Sequence, residues 1–144
     1  MEEAGELEVD DREIHRAGPT YTVETLRSFR DEFEATPLCL IVGADAFCRF
    51  DHWHEWEKLP ELAHIAVAGR PGAKLPETGP VAELMRDLGT TDPSLLQTRP
   101  AGYVIVREIP GLDISGTRIR ALLDAGRSIR YLVPDPVINL IEKE

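Results

Sequence analysis

The sequence predicts a doubly wound α/β domain, a parallel sheet with helices on both faces. Two observations carry that prediction. Three apolar runs, "PLCLIVGAD", "AHIAVAGRPG" and "GYVIVREI", are short and punctuated by Gly or Pro, as strands buried on both faces are. Segments with apolar residues at helical spacing alternate with them, and parallel strands need such crossovers between them. At 144 residues the chain has the length of one domain with a real core, so a single domain over 1–144 is expected.

The elements follow in order. Residues 5–11, "GELEVDD", are a short candidate strand. Residues 18–36 read as a helix: Thr20 or Thr22 caps it, Glu24 lies in the first turn, and Val23, Leu26, Phe29 and Phe33 recur at helical spacing. Residues 37–45 are a strand opened by Pro37 and closed by Gly43, followed by a short helix at 46–49 and another at 53–59. A second buried strand at 63–72 ends at Gly69, Pro71 and Gly72. Pro80 starts a helix that Gly89 stops, and residues 90–100 read as loop. Residues 102–109 form a third strong strand. Residues 114–126 form a helix that opens at a Ser-Gly-Thr turn and stops at Gly126. After a turn, the last helix has Pro136 in its first turn.

Composition narrows the function. With 42% hydrophobic and 29% charged residues the chain is an ordinary soluble one, and no apolar run is long enough to span a bilayer. The N-terminus "MEEAGELEVDD" is acidic where a signal peptide is basic and then apolar. Cys39 and Cys48 are too far apart for a CxxC pair and read as reduced thiols of a cytoplasmic protein. A net charge of −10 argues against non-specific binding to nucleic acid or an anionic membrane. An anionic small ligand needs only a local cluster of donors. The 13 Arg against 3 Lys would suit phosphate, although genomic base composition produces the same bias.

Open parallel sheets bind ligands beyond the C-terminal ends of their strands. There the sequence places Gly43-Ala44-Asp45, where a glycine admits a ligand to the backbone and an aspartate accepts from ribose hydroxyls; a plain turn with Asp45 as helix cap fits equally. Ser115, Gly116 and Thr117 open a helix whose N–H groups favour anions, with Arg118 and Arg120 beside them; an ordinary Ser cap with solvated arginines is the alternative. Arg70 follows the 63–72 strand toward the same edge. In "FDHWHEW", Trp53 is either a core aromatic or a ring for stacking on a flat heterocycle. His52 and His54 lack the two further ligands a zinc site needs, so no metal site is expected.

The combination "GPTYTVETL … LIVGADAF … WHEWEKL … AHIAVAGRPG … ISGTRIRALLDAGRSIRYLVPDPV" resembles the bacterial nicotinate-nucleotide adenylyltransferases of the nucleotidyltransferase superfamily, from about Leu7 to the C-terminus. The resemblance implies a Rossmann-like nucleotidyltransferase fold. It also implies adenylyl transfer from ATP, with Mg²⁺, to nicotinic acid mononucleotide, giving deamido-NAD and pyrophosphate in NAD biosynthesis. By the same carry-over, Thr22 lies near the nicotinate carboxylate, Trp53 stacks on the pyridine ring and the His54 amide meets that carboxylate. Gly43 and Asp45 contact the adenosine ribose, while Ser115, Thr117, Arg120 and, less directly, Arg70 serve the ATP phosphates.

The sequence departs from that family in three places. ISGT stands where ISST is commoner, and Thr20 where serine is usual. The family's opening strand and its G-x-F-D-P-x-H-x-G-H motif, whose histidines bind ATP phosphates, have no counterpart here, so no catalytic residue is assigned. His15, His52, His54 and His64 all have other neighbours. The expectation is a fragment, a misplaced start or a truncated relative lacking its first strand–helix unit. The segments 38–42 and 103–107 would then present unpaired edges, and the chain alone would be poorly stable or would self-associate as a homo-oligomer, with negligible turnover. A non-catalytic nucleotide-binding remnant and a phosphopantetheine adenylyltransferase are the alternatives. The T-Y-T block and Trp53 favour the nicotinate over the latter.

Overall fold

The computed structural model of the protein describes residues 8–70, 72–109 and 114–141, which fall into two compact units, Met1–Ile109 and Pro110–Glu144. Gly5, Glu6 and Leu7 of the candidate first strand lie outside the described residues, as does Pro71; residues 8–11 are not strand.

In the first unit β1 (Cys39–Gly43), β2 (His64–Gly69), β3 (Gly89–Thr90) and β4 (Val104–Glu108) form one sheet in the order β1-β2-β4-β3. Every pairing is parallel, which bears out the predicted α/β class. The register sets Leu40, Ile65 and Val104 in one row and Val42 and Val67 in the next. Strand side chains alternate between faces, so these residues share a face. They pack with Val23, Leu26, Phe47, Phe50, Leu59 and Val81 into the core.

The opposite face of β1 departs from the expected two-sided burial. Ile41 is 75% exposed and Cys39 is exposed. Among the described residues β1 has β2 on one side and no strand on the other, and its Cys39–Ile41 face is left open. The 103–107 run is paired further than expected: β4 lies along β2 over its length and beside β3 at Val104 and Ile105.

Helix α1 (Thr22–Phe33) buries Val23 and Leu26. Its cap is neither Thr20 nor Thr22. Tyr21 is the N-cap, with no side-chain capping bond, and its carbonyl accepts from Glu24 N–H at 3.0 Å. Helix α2 (Ala44–Phe47) starts earlier than expected because Gly43 takes the N-cap position. The helix expected at 53–59 is instead two single 3₁₀ turns, Phe50–His52 and Trp56–Lys58, followed by α3 (Leu59–Leu62). Glu55, at φ 49 and ψ 40, is left-handed and cannot continue a right-handed helix.

Helix α4 (Pro80–Leu88) has Pro80 in its first turn and stops at Gly89, as read. A Cβ at Gly89 would lie 2.2 Å from the Met85 carbonyl oxygen, so the close approach admits only glycine. The 90–100 loop is more ordered than expected. Thr90 joins β3, and Asp92 Oδ1 caps the 3₁₀ turn Pro93–Gln97 by accepting from Ser94 N–H at 2.9 Å.

Polar side chains tie the N-terminal end of the sheet. His64 is fully buried; its Nδ1 accepts from Tyr103 N–H at 3.0 Å, which leaves the Nε2 hydrogen for the Arg99 carbonyl at 2.9 Å. The Arg30 guanidinium donates to the carbonyls of Glu34 (2.6 Å), Thr36 (2.8 Å), Pro100 (3.0 Å) and Leu62. These bonds satisfy backbone groups that the strand starts would otherwise leave open.

In the second unit, α5 (Gly116–Asp124) is capped by Ser115, whose Oγ accepts from Arg118 N–H at 3.2 Å. Gly126, at φ +64, marks its stop in the left-handed region that favours glycine. Helix α6 (Asp135–Ile141) follows, with Pro136 in its first turn.

Candidate functional site

Two segments distant in sequence meet at the start of α1. Thr20, Tyr21 and Thr22 face His52, Trp53 and His54 across a cavity of about 260 Å³. The local reason lies in both segments. Tyr21 ends the extended approach to α1, and its ring packs on the His54 imidazole with centroids 4.2 Å apart. Trp53 leaves the Phe50–His52 turn in extended conformation and rests on Phe50, centroids 5.2 Å apart. Phe50 is itself fully buried, so the indole is anchored on the core while it lines the cavity.

The backbone around His54 has an open donor. Trp53 N–H bonds to the Phe50 carbonyl at 3.0 Å and Trp56 N–H to the Trp53 carbonyl at 3.2 Å. Among the described residues His54 N–H finds no acceptor. The two imidazoles engage different partners: His52 Nδ1 lies 2.9 Å from Asp51 Oδ1, whereas His54 stacks with Tyr21. Beyond the cavity, Glu55 is bound to Arg27 of α1 at 2.9 Å, and that hydrogen bond holds the Glu55 carboxyl below the usual carboxylate range.

The C-terminal strand ends hold the second group of residues. Gly43 pairs in register with Ala68, so Gly43, Asp45 and Arg70 follow neighbouring strands at the same end of the sheet. Asp45 lies in the first turn of α2, not at its cap. Gly43 has φ −67, and a Cβ there would meet nothing within 4 Å. The fold itself therefore does not require glycine at this position. Asp45 and Arg70 are exposed.

Ser115, Thr117 and Arg120 belong to the second unit and share the first turns of α5. Thr117 and Arg120 are exposed, and the Arg120 guanidinium folds back over Gly116, 3.4 Å from where a Cβ would stand. The Ser115 hydroxyl caps the helix, the role that the plainer reading of ISGT gives it.

The cytidylyltransferase-like family profile matches residues 3–122 of this sequence. The chain belongs to the cytidylyltransferase-like family. Within it, a "Probable nicotinate-nucleotide adenylyltransferase" of Marinobacter nauticus is 48% identical over 141 residues, 96% of this chain and 65% of the relative. Relatives with the same name in Methylococcus capsulatus and Pseudomonas aeruginosa strain PAO1 are 42% and 43% identical, covering 97% and 94% of this chain and 67% and 64% of their own lengths. These relatives bear out the resemblance drawn from the motifs. This cytidylyltransferase-like chain spans about two thirds of the length of the curated relatives it matches.

Two solved structures share the fold. Plasmodium falciparum nicotinic acid mononucleotide adenylyltransferase complexed with APC gives a TM-score of 0.57 at 21% identity, over 88% of this chain and 58% of that one. The same enzyme complexed with NaAD gives 0.58 at 21% identity, over 88% and 57%.

Sequence reasoning missed the partners of the site. Tyr21, Arg27 and Glu55 were not singled out, although the T-Y-T block already placed an aromatic beside Thr22.

Proposed function

We propose that this chain carries the pyridine- and nucleotide-binding parts of an enzyme that transfers the adenylyl group of ATP to nicotinic acid mononucleotide, giving deamido-NAD and pyrophosphate. One observation carries the reading: Thr22, Trp53 and His54, taken from motifs far apart in the sequence, line one cavity. The open His54 N–H supports it, because a carboxylate is the acceptor such a donor takes best. The names of the relatives point to the same substrate. The family match, over residues 3–122, covers most of the first unit and extends into the second, which supports reading 1–144 as one nucleotidyltransferase-like domain.

In this reading Trp53 stacks on the pyridine ring while Thr22 and the His54 amide hold its carboxylate. Gly43 admits the adenosine to the backbone and Asp45 accepts from its ribose. The motif carry-over assigns Arg70 of the first unit, and separately Ser115, Thr117 and Arg120 of the second, to the ATP phosphates, the arginines as cations and the hydroxyls as hydrogen-bond donors. A phosphate oxygen of the mononucleotide bonds to the α-phosphorus of ATP as the bond to the bridging oxygen breaks and pyrophosphate leaves. That step needs alignment and charge neutralisation more than covalent help. Mg²⁺ bound with ATP would add to that charge neutralisation. The reading places the reaction in the cytoplasm and involves neither nucleic acid nor a membrane; no described helix is long and apolar enough to cross one.

The test is selectivity between the acid and amide mononucleotides. A charge-assisted hydrogen bond contributes about 1.5–3 kcal/mol, so roughly a tenfold or greater preference for nicotinic over nicotinamide mononucleotide is expected by calorimetric titration. Equal affinities overturn the assignment.

A further inference from the structure

Arg27 and Glu55 stand outside the pocket lining, yet both reach the segment that forms it. Glu55 adopts a left-handed backbone, φ 49 and ψ 40, which residues with a β-carbon hold only where their surroundings impose it. The surroundings here are specific. Arg27 Nη1 lies 2.6 Å from Glu24 Oε1 one turn back on α1 and 2.9 Å from Glu55 Oε2. The guanidinium is therefore fixed on its own helix before it reaches across. Glu55 Oε2 also lies 3.9 Å from His54 Nε2, so the carboxylate sits between the Arg27 cation and the His54 ring. On the other side, that ring packs on Tyr21.

We propose that Arg27 and Glu55 are positioning residues of the pyridine pocket: their ion pair, with the Tyr21–His54 ring contact, holds residues 53–55 against α1 in the shape that makes the pocket. The proposal rests on the pocket being a mononucleotide site. Neither residue touches the cavity, so both act through Trp53 and His54. The pair is partly solvated, with side chains 38% and 41% exposed, and pairs of that kind contribute little to global stability. Its effect therefore belongs in ligand affinity rather than in melting temperature. The same link fixes where the His54 N–H points, which is what acid-over-amide selectivity depends on.

The experiment uses the full chain and three variants: Glu55→Gln, Glu55→Gly and the swap Arg27→Glu/Glu55→Arg. Calorimetric titration with nicotinic acid mononucleotide is paired with ATP titration, thermal melting and hydrogen exchange at the Trp56 amide. Glu55→Gln should lose roughly two- to fivefold in mononucleotide affinity and speed Trp56 exchange, with ATP affinity and melting nearly unchanged. Glu55→Gly keeps the left-handed backbone without the link and should bind as weakly as Glu55→Gln. The swap should recover most of the affinity. Wild-type binding by Glu55→Gln overturns the proposal, and so does a lowered melting temperature that the swap restores without restoring affinity. If the unmutated chain fails to bind the mononucleotide, the pocket assignment itself falls and takes this proposal with it. That failure is told apart because it shows in the wild type.

Discussion

Trp53 joins two jobs in one side chain, since its indole rests on the core residue Phe50 while lining the cavity. Replacing it with alanine should weaken mononucleotide binding by about 0.5–1.5 kcal/mol from lost stacking, with a further loss from reduced burial. ATP affinity should stay unchanged. Calorimetry on a cooperatively melting Trp53→Ala protein checks this, and a variant that no longer folds would make the indole a core residue first. Trp53 and His54 were legible because aromatic and imidazole groups crowd into "FDHWHEW". Arg27 and Glu55 were not. Their meeting depends on a left-handed turn at a glutamate, a residue type that does not announce one. His64 was read only as the opening of a strand. Its role as a double hydrogen-bonding group depends on Arg99 and Tyr103, which reach it from another part of the chain.

At the scale of elements, two glycines that look alike in sequence should behave in opposite ways. Both stand at the junction of a strand and a helix. Gly89→Ala drives a Cβ against the Met85 carbonyl and should destabilise by about 1–3 kcal/mol, read as a lowered denaturant midpoint. Gly43→Ala meets only open space at an ordinary φ, so stability should hold within about 0.5 kcal/mol. On the proposed function its ATP affinity should nevertheless fall, because the added methyl would stand where that reading brings the nucleotide to the backbone. Unchanged ATP binding in Gly43→Ala would remove Gly43 from the site. The three long strands, α1, α4, α5 and α6 were all legible from apolar spacing and Pro or Gly punctuation. The 53–59 region was not, because a helical apolar pattern there is cut by Glu55. β3 was missed because two residues carry no periodicity.

For the whole molecule, the sheet packs its core on one side, and among the described residues β1 has no strand on its outer edge. β1 offers its outer backbone groups and the 75% exposed Ile41 to solvent. Charged side chains are the usual protection for such an edge. Ile41→Lys should therefore reduce concentration-dependent association, seen as a larger monomer fraction in sedimentation velocity, with little change in melting temperature. An unchanged distribution would show that the edge does not drive association. The apolar run at 37–45 signalled a strand correctly, but composition alone could not say which of its faces lacks a cover.

The knot at the other end of the sheet bears on how fast the chain comes apart. Arg30 reaches the Pro100 carbonyl across a sequence separation of 70 residues, and His64 reaches Arg99 across 35. Contacts that close such long loops cost chain entropy early and form after local helices have already gained their bonds. The Arg30 clasp should therefore be absent from the rate-limiting folding barrier and act as a brake on unfolding alone. In stopped-flow chevrons, Arg30→Met should raise the unfolding limb and leave the refolding limb nearly in place. A slowed refolding limb would instead make Arg30 part of the nucleus. With Arg30 acting as a brake alone, the half-life of the folded chain is governed at the N-terminal end of the sheet, opposite the strand ends to which the nucleotide is proposed to bind.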